Sequence, residues 1–240
     1  MERAENGNFR FPLVFMKKYL PLIVGLFTFS FLEIIFSETF LPRILIYSLL
    51  TLALFFLTIL FLVNKVKIFW PVILELFLLE ISAILFFILI KENSIFHLLA
   101  LVFSLLIYFV FKNIYLLFYK IREAKPFFFR DSSNLLNFIS GYFFFVGIFA
   151  LKFFLNFPLP LLLFSVFLAV FWFTFYELWV RKIKINLKFP LVFALLCLEF
   201  SLVLSYLPLS FYFVGLFLIS FYTIIINLWF AFRQKSILGI

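Results

Sequence analysis

The sequence predicts an all-α fold, a polytopic bundle of about eight transmembrane helices. Three observations support this prediction. Of the 240 residues, 67% are hydrophobic and 13% are charged, the mean hydropathy is +1.26, and the apolar residues form long runs separated by short basic segments. Soluble domains are about half apolar and about a quarter charged. A soluble chain of this length could not bury so much apolar surface in one core, so the expected solvent is lipid.

Eight apolar runs follow one another along the chain. A helix needs roughly 20 residues to cross a hydrocarbon core about 30 Å thick, and each run is close to that length. Prolines mark the two shortest connections, at Pro158 and Pro208, where they end or open helices. The first run is too long for the apolar region of a cleavable signal peptide, so we expect it to be retained as an anchor. The predicted spans are Tyr19–Phe40, Ile44–Val63, Trp70–Ile90, Phe96–Tyr119, Leu135–Phe157, Leu159–Val180, Phe189–Leu207 and Leu209–Phe232.

The basic residues test this span count independently. If the chain crosses eight times, sixteen Lys and Arg residues fall on one side and only Arg43, Lys91 and Lys152 on the other, with Lys112 inside a span. Cytoplasmic loops carry the excess of basic residues, so we predict a multi-pass protein of the cell (plasma) membrane with both termini in the cytoplasm. The sixteen are Arg3, Arg10, Lys17, Lys18, Lys65, Lys67, Lys120, Arg122, Lys125, Arg130, Arg181, Lys182, Lys184, Lys188, Arg233 and Lys235.

The net charge of +9 does not indicate a nucleic-acid-binding protein. The basic residues lie in short clusters between apolar runs, and no polar segment combines them with interleaved stacking aromatics. A single cysteine, Cys197, excludes an internal disulfide and a cysteine-based metal cage. We therefore expect the lipid bilayer as the main partner, with no metal, no cofactor and no nucleic acid. A homo- or hetero-oligomer in the membrane remains open.

Two segments, about half the sequence apart, carry the same polar pattern. In each, a proline opens an apolar run, a glutamate follows nine residues later, and a serine stands two residues further on. The two sets are Pro71, Glu80, Ser82 and Pro190, Glu199, Ser201. At a rise of 1.5 Å per residue, each glutamate lies about 14 Å along its helix, near the middle of the hydrocarbon core. A carboxylate at that depth is costly, so a matched pair calls for a function or a structural role.

The matched segments predict an internal repeat. The basic loops that precede them are also alike, with residues 65–68 beside 182–185. Because four spans return the chain to its starting side, the repeats would be two tandem four-helix units in parallel orientation. We predict one integral membrane domain, 1–240, that contains a first repeat at 1–119, a cytoplasmic loop at 120–134 and a second repeat at 135–240.

The glutamates Glu80 and Glu199 are the predicted binding site for a proton or a cation, with Ser82 and Ser201 as neighbours. Glu75 lies about 140° around the helix from Glu80 and has no counterpart in the second half, so it ranks lower. A second interpretation assigns these groups to interfacial snorkelling or to structural hydrogen bonds between helices. The possible supporting polar residues are Glu75, Glu33, Glu177, Lys112, Lys152 and His97, with Lys112–Glu177 and Lys152–Glu33 as conceivable pairs.

The sequence contains few sets of side chains that could form an enzyme active site. One His, one Cys and one Asp leave no Cys–His couple, zinc set or haem pair, and no Gly-rich phosphate loop occurs. A lipid-modifying enzyme that uses only Glu, Lys and Ser remains an alternative. The cost of burying two glutamates at matching depth slightly favours a permease for a small solute, linked to protons or cations through these midplane glutamates. The main alternative is a non-catalytic membrane subunit or scaffold, which the six glycines support because moving transporters use glycine in broken helices.

Overall fold

A computed structural model describes residues 10–37, 41–62, 66–89, 93–119, 126–181, 183 and 186–238. These residues form eight α-helices joined by short connections. The helices are α1 (Arg10–Ser37), α2 (Leu41–Leu62), α3 (Val66–Leu89), α4 (Asn93–Tyr119), α5 (Pro126–Leu155), α6 (Leu159–Val180), α7 (Lys188–Tyr206) and α8 (Phe211–Leu238).

The predicted helical bundle of an integral membrane protein is confirmed. Seven of the eight helices contain a described stretch that is long and apolar enough to cross a membrane. In α2 the corresponding stretch within the described residues is shorter, Ile46–Thr58. The predicted span ends at Phe40, Val63 and Ile90 lie outside the described residues.

Six helices begin earlier than the apolar runs suggest, and α1 and α5 do so by nine residues each. Helix α5 begins at Pro126, so residues 126–134 of the predicted loop are helical, while 120–125 lie outside the described residues. Proline suits the first helical position, because its missing N–H has no partner there anyway. Helix α3 begins at Val66, which places Pro71 inside the helix rather than at its start. A proline is tolerated inside a membrane helix because neighbouring groups can satisfy the freed carbonyl.

The chain divides into two compact units. Unit 1 comprises Met1–Ile73 and Ile90–Phe129, and unit 2 comprises Leu74–Leu89 and Arg130–Ile240. The division falls inside α3, just after Pro71, so most of α3 belongs with α5 to α8. The predicted halves would place all of α3 in the first repeat. The four-plus-four repeat therefore stays a prediction.

Unit 1 is organised around α1, which packs mainly against α4 and also against α2. Gly25 of α1 permits the close contact with α4, since a Cβ there would lie 3.0 Å from Tyr108 Cβ and 3.1 Å from the Ser104 carbonyl oxygen. Phe31, Phe96 and other apolar side chains fill the interior of the unit. Close backbone approach through small residues is usual for helices that associate in lipid.

Unit 2 has a continuous apolar core in which α7 packs against both α6 and α8. Phe145, Val166, Phe173 and Leu218 are fully buried in it. Large apolar side chains also cover the outer faces of the helices, such as Leu191, Val203 and Phe217 in unit 2. An exterior that is as apolar as the interior is what a lipid solvent requires.

A polar cluster in unit 2

Buried polar side chains gather at the end of unit 2 where α6 ends and α7 begins. We call this group the polar cluster. Helices α3, α5, α6 and α8 each contribute to it. Its members are Glu75 of α3, Asn134, Asn137 and Ser140 of α5, Trp172, Glu177 and Arg181 at α6, and Tyr222 of α8.

An ion pair between Glu177 and Arg181 forms the part of the polar cluster at the end of α6. Glu177 and Arg181 stand one helical turn apart and therefore share a face of the helix. Arg181 Nε donates to Glu177 Oε2 over 3.1 Å, and Nη2 donates to Asn134 Oδ1 over 3.1 Å. The guanidinium also lies 3.6 Å from the ring centroid of Phe230, a cation–π contact. The side chains of the pair are 10% and 4% exposed, so this is a largely buried charge pair.

Both oxygens of the Glu177 carboxylate have partners. Asn137 Nδ2 donates to Glu177 Oε1 over 2.9 Å, while Arg181 takes the other oxygen. A buried carboxylate is tolerated when it is paired and hydrogen-bonded in this way. Glu177 is therefore fixed in position by α5 and by its own helix.

Glu75 is the second carboxyl group of the cluster, and it is 0% exposed. Trp172 Nε1 donates to Glu75 Oε2 over 3.0 Å, and the Ser140 hydroxyl lies beside the same carboxyl group. The carboxyl groups of Glu75 and Glu177 are near enough to interact electrostatically. Asn137 and Ser140 stand three residues apart on α5, so one helix face connects the two acidic groups.

Several buried oxygens of the cluster have no hydrogen-bond partner among the described residues. They are Glu75 Oε1, Asn137 Oδ1, Ser140 Oγ and Tyr222 OH. Unsatisfied polar atoms are rare in folded proteins, and two of these groups have a polar neighbour close by, since Ser140 lies beside Glu75 and Tyr222 lies beside Thr174. The carboxyl groups can take up and release a proton, whereas the amide and hydroxyl groups can bind water by hydrogen bonds.

The two predicted site residues lie in different surroundings. Glu80 is buried, and its Oε2 has no partner among the described residues. Glu199 lies on the exposed face of α7. The two glutamates therefore do not share one buried site, although both belong to unit 2. Their serine neighbours do match, since Ser82 and Ser201 are both buried and donate to the carbonyls of Leu78 and Leu198.

The remaining candidate residues have partners within their own units. In unit 1, His97 Nδ1 and Glu33 Oε1 lie 2.8 Å apart in a partly exposed pair, and exposed Lys112 has its Nζ 5.5 Å from the Tyr108 ring centroid. In unit 2, Lys152 Nζ donates to the Ser205 carbonyl over 2.9 Å. The partners of Glu33 and Glu177 are thus His97 and Arg181, rather than the lysines considered from the sequence.

Part of the polar cluster could have been predicted from the sequence, but the prediction gave priority to the repeated glutamates. Asn134, Asn137 and Ser140 recur every three residues at the start of an otherwise apolar span, which places them along one face of α5. A polar face inside a membrane helix must point towards protein or water. Trp172 and Tyr222 could not be predicted as members of the cluster. In a chain with 45 phenylalanines, a single aromatic residue does not indicate a site.

No group of three or more His, Cys, Asp and Glu side chains in the described part of the chain is placed to hold a metal ion. Comparison with known proteins assigns neither a family nor a function to the chain. No protein-family model matches the sequence, and neither a curated protein nor a solved structure matches it significantly.

Proposed function

We propose that this membrane protein is a proton-linked permease whose proton-binding groups are Glu75 and Glu177. The observation that carries the proposal is the group of unpartnered buried oxygens around these two carboxyl groups. Buried ionisable groups inside a membrane bundle commonly mark ion paths or proton relays.

A proton relay through the cluster would begin at Arg181, where α6 ends. Glu177 would take up the proton there, and Asn137 and Ser140 would hold the water molecules that carry it towards Glu75. Trp172 holds Glu75 Oε2, which leaves Oε1 as the oxygen that exchanges protons. Water bound to the unpartnered oxygens would complete the connection.

Glu80 extends this proposal along α3. It stands five residues beyond Glu75, a rise of about 7.5 Å, and it is buried. We include it as a third proton-binding group because its Oε2 is buried and has no hydrogen-bond partner among the described residues. Glu199 is the other member of the predicted pair, and its exposed position makes it the comparison residue in the test.

Proton flux into liposomes tests the proposal. The purified chain is reconstituted with an internal pH-sensitive dye, and flux after an acid pulse is compared among the wild type, E75Q, E177Q, E80Q and E199Q. E75Q is the decisive variant, because the glutamine can still accept the Trp172 N–H but cannot ionise. We expect E75Q to lose most of the flux while E199Q keeps the wild-type rate. Wild-type flux no greater than that of empty liposomes would refute the proposal.

A specific observation favours the alternative, a non-catalytic membrane subunit or scaffold. Both oxygens of Glu177 are bonded to protein donors, which is the pattern of a static interhelical lock. For a scaffold, the glutamine variants would lower the free energy of unfolding, and no variant would change proton flux because the wild type would carry none. Measuring unfolding and flux on the same samples separates the two functions.

A further inference from the structure

A second feature of unit 2 lies at the opposite end of α6 from the polar cluster. The connections α5–α6 and α7–α8 border an open cavity of about 550 Å³. Its polar lining residues are Lys152, Asn156, Ser205 and Ser210. Its apolar lining residues are Phe149, Phe153, Leu204, Leu207, Pro208, Leu209, Phe211 and Val214. We call this space the turn cavity.

Lys152 gives the turn cavity its charge. It is the one charged side chain among the lining residues, and no carboxylate stands among them. One of the three N–H donors on its ammonium group is used by the Ser205 carbonyl, at 2.9 Å. The other two remain for a ligand. An ammonium group beside a cavity without acidic side chains favours an anion there.

The start of α8 adds further donors. The first helical hydrogen bond of α8 runs from the Val214 N–H to the Ser210 carbonyl over 3.0 Å. The N–H groups of Phe211 and Phe213 precede that bond, so they have no acceptor within the helix. They also lie at the positive end of the helix dipole, which stabilises an anion. Ser210 and Phe211 both line the turn cavity, so these donors lie at its wall.

The rim of the turn cavity is aromatic and exposed. Phe153 and Phe154 are 70% and 55% exposed, and their ring centroids lie 6.2 Å and 5.5 Å from that of Phe211. These phenylalanine rings provide an apolar surface beside the ammonium group of Lys152, near the end of a membrane helix. A ligand that fits has an anionic group at Lys152 and an apolar part against these rings.

The geometry points to a binding site for an anionic phospholipid, with its phosphate at Lys152 and at the start of α8, and its glycerol and acyl carbons against Phe153 and Phe211. A free anion would satisfy the same donors but would leave the apolar wall of the cavity without a partner. The site does not depend on the proposed proton path, because none of its residues belongs to the polar cluster.

Native mass spectrometry of the purified chain tests the site, with phosphatidylglycerol, phosphatidylcholine and inorganic phosphate as separate probes. We expect phosphatidylglycerol to be retained in preference to phosphatidylcholine. K152M should weaken phosphatidylglycerol binding about fivefold, the effect of one basic residue at a membrane surface. K152R should keep most of the binding. K112M is the matched control, since it removes one exposed lysine from unit 1 and should change nothing.

A second variant tests the cavity without altering its charge. L209W places a larger side chain in the lining and should reduce phosphatidylglycerol binding while Lys152 stays in place. Equal retention of the two lipids by the wild type would overturn the site, as would unchanged binding by both K152M and L209W. Phosphate binding that is as tight as lipid binding and equally sensitive to K152M would show a free-anion site instead. If K152M fails to fold, K152R, L209W and the wild-type lipid comparison still decide.

Discussion

At the scale of the residue, Arg181 balances the charge of the polar cluster. It neutralises Glu177, binds Asn134 and covers the Phe230 ring, so one side chain connects α5, α6 and α8. Burying an ion pair yields little net stability, because desolvation offsets most of the attraction. Removing one partner is far more costly, since it leaves an isolated buried charge.

Replacement of Arg181 by methionine is therefore expected to lower the free energy of unfolding by about 3 kcal/mol or more. The double variant R181M/E177L should recover most of that loss, because it removes the charge that R181M leaves alone. Equilibrium unfolding in mixed micelles measures both. A double variant less stable than R181M would contradict the proposed energetics of the pair.

Trp172 Nε1 donates a hydrogen bond to Glu75 Oε2 over 3.0 Å. W172F keeps an aromatic ring and removes the N–H, so we expect a loss of about 1–2 kcal/mol in the free energy of unfolding. The test is a double-mutant cycle with E75L, which isolates the pairwise energy. If W172F costs as much in the E75L background as in the wild type, the hydrogen bond does not stabilise the fold.

At the scale of the element, glycines set the distance between neighbouring helices of unit 2. A Cβ on Gly215 of α8 would lie 2.5 Å from Val146 Cγ2 and 2.9 Å from the backbone nitrogen of Val146 on α5. Backbone atoms cannot rotate away as a side chain can. Any larger residue at Gly215 therefore pushes α5 and α8 apart.

Replacement of Gly215 by alanine is expected to lower the free energy of unfolding by about 1–3 kcal/mol, the usual cost of overpacking. L216A is the matched control one residue along, because Leu216 is exposed, and it should change stability by less than about 0.5 kcal/mol. Thermal unfolding in detergent compares the two. Equal stability of G215A and the wild type would mean that α5 and α8 can separate without loss.

The positions of the helices could be predicted from the sequence better than the faces that each helix buries. Apolar runs of about 20 residues between basic clusters leave helices as the only spanning structure in lipid, so the helices could be placed. In a soluble helix an apolar stripe identifies the buried face. In α3 and α7 both faces are apolar, so the sequence around Glu80 and Glu199 could not reveal that the first is buried and the second exposed.

At the scale of the whole molecule, the distribution of basic residues predicts the orientation in the membrane. Sixteen lysines and arginines against three predict that both termini lie in the cytoplasm. A fluorescent protein fused after Ile240 should therefore fold and fluoresce in cells. Alkaline phosphatase fused after Asn156 should be active, because that turn would face outwards. Active phosphatase at Ile240 would reverse the predicted orientation.

The division of α3 between the two units has a consequence for how the chain is made. Trp172, which binds Glu75, follows it by 97 residues. A ribosome adds about 5–20 residues per second, so Glu75 is synthesised about 5–20 s before this partner. During that interval the nascent helix carries two carboxyl groups without their final neighbours. We therefore expect one of two routes for α3. The helix stays beside the translocon until α6 has been synthesised, or it enters the lipid with both carboxyl groups protonated.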